Sequence, residues 1–402
     1  MPIHCKAHAD RSNPTITTVV TIMILLAATL TTGCAPQPRA VEVEVTAPPQ
    51  VNVVEVTATP EPTSEGDGGM IAFLSDREAR NYELYVMHAG GAEPRPLALA
   101  GDGFCVGPSW SPDGQRIAYT RIVPNERGVL DNHGPFEVWV TTLDGDETLL
   151  SADVTGEILA LPWPTPTWSP DGVRLAFIAA YETDEGDTLS TVYVVTAGGG
   201  LEWSYSLPWL AFDVFWSPAG DALLLVGYDE QAGPSAHVLS IADQELTEIY
   251  QNAQAAAWSP DGSEIVVSPV QPPDVIVLEP GGESRVIAQI EGRFPLAARW
   301  SPDGAYIVVG SSYSSSLMKI TTLHLVSVNT GEITAIVESG DYIYSPNWSP
   351  TGDRLLYTTT DLNRLRQGSI PHADLWVYDL ASGETQQLTT GEFHDGMGVW
   401  SP

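Results

Sequence analysis

Aspartate, histidine and arginine are the residues of this chain whose types could do chemistry, and their spacing limits what that chemistry could be. Asp113, Asp171, Asp261 and Asp303 recur at one place, each directly after a Trp-Ser-Pro triplet and before a glycine. A ring of carboxylates invites a metal reading. Two other copies of the same turn carry Ala219 and Thr351 there and still keep the proline and glycine. Ser-Pro-Asp-Gly suits a type I turn position by position, because serine bonds the following backbone, proline presets φ and glycine accepts the exit geometry. The aspartates are therefore read as turn chemistry, and no metal site is assigned. The histidines His88, His133, His237, His324, His372 and His394 lack metal-ligand spacing. His237 and His324 fall inside apolar strand patterns and read as packing residues. No P-loop, dinucleotide fingerprint, HExxH or paired CxxC motif is present, so no cofactor and no catalytic residue is expected.

Arginine is placed unevenly. Arg77 and Arg80 lie in the segment 76–82, Arg127 in 124–136, and Arg364 and Arg366 in 361–373. Acids in the same segments balance them, which leaves a neutral sector on a strongly acidic chain. Arginine pairs carboxylates bidentately, so an anion site there is one expectation. His133, His372 and His394 fall near the same segments. Trp163 and Trp209, with Phe212, Phe294, Tyr342, Tyr344 and Phe393, lie in or near the connections between repeated units. Arg77, Arg80, Arg127, His133, Trp163, Trp209, Arg364, Arg366, His372 and His394 together form the candidate ligand-binding set. Aromatics around a concave face suit peptides, sugars or small apolar ligands.

The elements that must position these residues follow from the repeat. Trp-Ser-Pro opens at Trp110, Trp168, Trp216, Trp258, Trp300, Trp348 and Trp400, at intervals of 42 to 58 residues. An apolar run follows each complete turn, as in Ile117-Ala118-Tyr119 and Leu223-Leu224-Leu225, so each unit begins strand, tight turn, strand. Repeats of this period, each holding several short strands, predict an all-β, seven-bladed β-propeller with four-stranded blades. Residues 70–75, 83–88 and 94–99 supply three strands without a Trp-Ser-Pro, and residues 399–402 supply the missing piece. One C-terminal strand and three N-terminal strands are expected to complete the first blade, which would remove the open edge of a linear array.

Residues 1–33 read as an export signal. Lys6 and Arg11 precede an uncharged, mostly apolar run from Ile16 to Thr32 that ends at Gly33-Cys34. That ending resembles the lipobox of bacterial lipoproteins, with threonine where leucine is usual, and it implies lipidation of Cys34. Residues 34–68, rich in proline, threonine and glutamate, read as a disordered tether of up to roughly 100 Å. The propeller is assigned residues 69–402. Cys105 is the one cysteine left in it, so no internal disulfide is expected. The whole chain carries a formal charge of −34, which argues against nucleic-acid partners and against any membrane contact beyond the anchor.

The motif Trp-Ser-Pro-Asp-Gly, an Ile-Ala-Tyr strand, a Leu-Tyr-Val or Val-Trp-Val strand and a closing Leu-Thr together resemble the TolB-type propeller repeat. The best instances run from Trp348 to Thr389 and from Ile71 to Val86. The same repeat occurs in the propellers of prolyl-oligopeptidase-type serine peptidases. The α/β domain expected of TolB is not recognisable before residue 69. No Gly-x-Ser-x-Gly nucleophile elbow occurs either, and serine-peptidase activity is expected to be excluded on that ground. The expected function is a monomeric, lipid-anchored, non-enzymatic module of the bacterial cell envelope that binds a protein, peptide or glycan. The alternative is an extracellular polysaccharide lyase or hydrolase acting at the face opposite the Trp-Ser-Pro turns.

Overall fold

A computed structural model describes residues 69–78, 81–125, 128, 135–152, 165–182, 188–229, 231–269, 271–291, 293–312, 320–360 and 372–402. These lie within one compact unit, Pro62–Pro402. They form seven antiparallel four-stranded blades. Blade 1 joins Asp395–Trp400 to Met70–Ser75, Glu83–His88 and Arg95–Ala98, in that spatial order. The expected closure by both chain ends is therefore present. The inner strands of blades 2 to 6 are Phe104–Trp110, Thr167–Trp168, Leu210–Trp216, Ala253–Trp258 and Phe294–Trp300. Blades 6 and 7 form one seven-stranded sheet, because the 16-residue strand Ile333–Trp348 pairs as the outer strand of one and the inner strand of the other.

The turn residues hold neighbouring blades as well as their own strands. In the second blade Ser111 Oγ accepts the Arg116 N–H at 3.0 Å and donates to Asp113 at 2.5 Å, while Asp113 accepts the Gln115 N–H at 3.0 Å. Where the aspartate is missing, an acid two residues later replaces it. Ser217 donates to Asp221 at 2.7 Å, and Ser349 donates to Asp353 at 2.9 Å. The turn glycines adopt φ of +66° to +73°, a region in which a side chain is strained. Each glycine also sits against the proline of the preceding turn, from Gly172 on Pro112 round to Gly114 on Pro402.

The tryptophans join the blades in a second way. Five of the seven indole N–H groups donate to the carbonyl just before the previous blade's tryptophan: Trp110 to Val399, Trp168 to Ser109, Trp216 to Thr167, Trp300 to Ala257 and Trp348 to Arg299, at 3.1–3.2 Å. The N–H groups of Trp258 and Trp400 find no hydrogen-bond partner among the described residues. Seven apolar clusters fill the described interior, one at each blade interface. Blades 1 and 7, for example, pack Ile71, Phe73 and Tyr85 against Leu356 and Leu375. The core is therefore a ring of sheet-on-sheet contacts around an axis, and burying apolar area there contributes about 25 cal/mol per Å².

Candidate functional site

Inner strands define the axis, and most of them bend at the same level. Register shifts fall at Phe212, Gln254, Leu296, Gly107-Pro108, Ser345-Pro346 and Met397-Gly398, between the paired stretches of blades 4, 5, 6, 2, 7 and 1. A β-bulge adds a residue to one strand, bends it and re-aims the side chains beside it. Gly107, Ser345 and Met397 take φ of 59°, 53° and 53° there. Such conformations are costly for side-chain-bearing residues and cluster at sites under functional constraint.

Residues of blades 1, 2, 3, 4, 6 and 7 line a partly open axial cavity of about 640 Å³ that extends to the level of the Trp-Ser-Pro turns. Its walls include Phe212, Asp213, Phe215, Arg299, Ser345 and Asn347. Arg299 of blade 6 places its guanidinium 4.8 Å from the ring centre of Phe215 in blade 4, and its Nη1 donates to the Ala298 carbonyl at 2.8 Å. It reaches Phe215 past the inner strand of blade 5, which carries small side chains at Ala253, Ala255, Ala256 and Ala257. Asp213 faces the cavity but lies deep among protein atoms. Burial pushes its carboxyl above the ordinary range, against the opposing pull of Arg299.

A second polar cluster joins blades 1 and 7 beyond the other ends of these strands. The carboxylate of Asp395, 1% exposed, accepts from Ser75 Oγ at 2.5 Å and from Arg77 Nη2 at 2.7 Å. Arg77 also donates from Nε to Ser75 at 3.0 Å and lies 5.4–5.6 Å from the rings of Phe73, Tyr85 and Phe393. The backbone N–H of His394 donates to Asp76 at 2.7 Å, and its ring lies 4.7 Å from Tyr82. Burial, and next Asp395, push Asp374 up to about 6, while His372 opposes the shift.

Of the candidate set, the structure brings Arg77, His372 and His394 into this one region. Arg77 is held by a buried carboxylate and three rings. Trp209 lies elsewhere, buried in blade 4 and stacked on His237 at 4.8 Å. Arg80, Arg127, His133, Trp163, Arg364 and Arg366 lie outside the described residues, as do the signal, Cys34 and the tether. His324 bonds Ser311 Oγ through Nε2 at 2.9 Å inside blade 6. Asp213 and Arg299 were not among the candidates. The available signal was a charge placed one to three residues before Trp300 and Trp216, within otherwise apolar inner strands.

No family model matches the chain. An uncharacterized peptidase of Bacillus subtilis, YuxL, is 26% identical over 243 residues, which cover 57% of this chain and 34% of that protein. The chain thus spans about a third of the length of that relative. TolB from Acinetobacter baumannii is similar in structure, with a TM-score of 0.53 and 16% identity over 86% of this chain and 68% of that one. A structure from a study of two prolyl endopeptidases gives a TM-score of 0.56 with 12% identity over 78% of this chain and 46% of that one. The Pyrococcus horikoshii acylaminoacyl peptidase gives 0.53 and 16% over 80% and 51%. These structures establish the fold. The exclusion of serine-peptidase activity, and with it the reading as no enzyme, is overturned by the peptidase relative and the peptidase neighbours. A missing nucleophile elbow carries no weight in a chain matching only a third of that relative. The chain is a multi-bladed β-propeller, similar in fold both to TolB and to propeller-bearing peptidases.

Proposed function

We propose that this propeller is a peptide-binding module that takes an extended peptide or a protein terminus into its axial cavity, outside the cytoplasmic membrane. The supporting observation is the axial cavity of about 640 Å³, whose wall includes Phe212, Phe215, Asp213 and Asn347. Its volume suits a few residues of extended chain, and its mixed apolar and polar wall suits a peptide better than a uniformly apolar ligand. The peptidase names among the similar proteins favour peptides over glycans as the ligand class. Filling the cavity tests the proposal. Asn347→Trp in the full-length protein is expected to abolish capture of a peptide library that the wild-type protein retains, with unfolding temperature preserved. Equal retention by both proteins would place peptide binding elsewhere or nowhere.

The anchor belongs to the same proposal. Gly33-Cys34 at the end of an apolar run supports a diacylated N-terminus, two chains being what stable anchoring requires. Cys34→Ala is expected to release the protein from the membrane fraction or to accumulate an unprocessed precursor. A variant that fractionates and migrates like wild type would reject lipidation.

A further inference from the structure

We infer that Asp213 makes the axial cavity selective for a peptide carrying an alkylammonium group, either a lysine side chain or a free N-terminus. The inference rests on the peptide-binding reading above and specifies its ligand.

Among the described lining residues, Asp213 and Arg299 are the only charged side chains. They are not equally available. Arg299 lies over the Phe215 ring and donates to the Ala298 carbonyl, so its guanidinium is already engaged by a ring and a carbonyl dipole. Asp213 accepts no hydrogen bond among the described residues. Burial works against its charged form more strongly than Arg299 supports it. A carboxylate that has lost much of its water and gained no donor is costly, and a cation bearing N–H groups relieves that cost. The wall therefore holds one cation already engaged by protein groups and one carboxyl that accepts no hydrogen bond from the described residues.

The surroundings decide which cation. Calcium affinity depends on the number of charged ligands among its six to eight oxygens, and the described wall offers a single carboxylate side chain. Phe212, Val214 and Phe215 flank Asp213 in the chain and share the cavity wall with it. An alkylammonium group fits this combination, because its three N–H donors meet the carboxylate while its stem packs on apolar surface. The long-range field acts in the same direction, since a chain of formal charge −34 attracts cationic ligands.

Three capped or uncapped alanine pentapeptide amides test this by calorimetric titration of the full-length protein. One is N-acetylated with a central lysine, one is N-acetylated with a central acetyllysine, and one is all alanine with a free N-terminus. At least one of the two cationic peptides is expected to bind wild type roughly 10- to 100-fold tighter than the acetyllysine peptide, as one charge-assisted hydrogen bond implies. The peptide that gains identifies the source of the ammonium. Asp213→Asn, close to isosteric, is expected to erase the difference. Should that variant fail to fold, the wild-type preference alone decides the question. Equal binding of all three peptides to wild type, lost in Asn347→Trp, would overturn the charge selectivity and leave peptide binding intact. Binding of none would overturn both.

Discussion

At the scale of single residues, acids of opposite tendency set how stability should vary with pH. The turn serines, and after them a backbone N–H, hold Asp113, Asp171 and Asp303 below the ordinary carboxylate range, and the same bonds take Asp261 down to about 2. A depressed native value means the charged form favours folding. That contribution is present above the unfolded value of 3.8 and is lost as pH falls toward about 2. Asp374 has the opposite sign. Its native value of about 6 lies above the ordinary 3.8 of the unfolded chain, so the native state binds the extra proton and stability rises as pH falls from 7 toward 4. The unfolding temperature should therefore peak at about pH 4 to 5. Asp374→Asn should flatten the neutral side of that peak and leave the acid side in place. A scan that rises steadily from pH 4 to pH 8 would contradict the assignment. The turn aspartates were legible in the sequence because turn chemistry is local. Asp213 and Arg299 were not, because their meaning depends on bulges and on the small side chains of a neighbouring blade.

At the scale of elements, the Trp-Ser-Pro turn tolerates a displaced carboxylate. Ser217 uses Asp221 where other copies use the acid two residues earlier. Asp221→Ala should cost about 1 kcal/mol, the net worth of a typical hydrogen bond, read as a lowered unfolding temperature. Ala219→Asp alone should change little, because Ser217 already has its acceptor. Combined with Asp221→Ala it should restore stability, and a double variant no better than the single one would refute the exchange. Strand positions in compact units were readable directly. In blade 5, the most compact unit, the apolar pattern of the sequence points to strands over 255–259, 264–269, 274–279 and 285–290, and strands appear at Ala253–Trp258, Ile265–Pro269, Asp274–Leu278 and Ser284–Gln289. The long strand Ile333–Trp348 was not foreseeable, because Gly340-Asp341 within it looks like a turn.

At the scale of the whole molecule, one short strand closes the ring. Residues 395–400 pair with Met70–Ser75, supply the acceptor for Trp110 and carry the buried Asp395 that neutralises Arg77. Ser401 and Met70 exchange two further bonds of 2.8 and 2.9 Å. Deleting residues 392–402 should cost far more than the roughly 0.5 kcal/mol of an ordinary surface change. Asp395→Ala alone should cost about 3 to 5 kcal/mol, because it strands a partly buried arginine. Unchanged thermal unfolding after the deletion would refute closure by this strand. The strand shared by blades 6 and 7 has a different consequence. Elsewhere a blade can loosen without stretching its neighbour's ladder, since a connection separates the two sheets. Across Ile333–Trp348 no such slack exists, and opening one half pulls on the register of the other. Amide protons on either side of Gly340 should consequently exchange with deuterium as one cooperative unit, while those of the remaining blades exchange as separate ones.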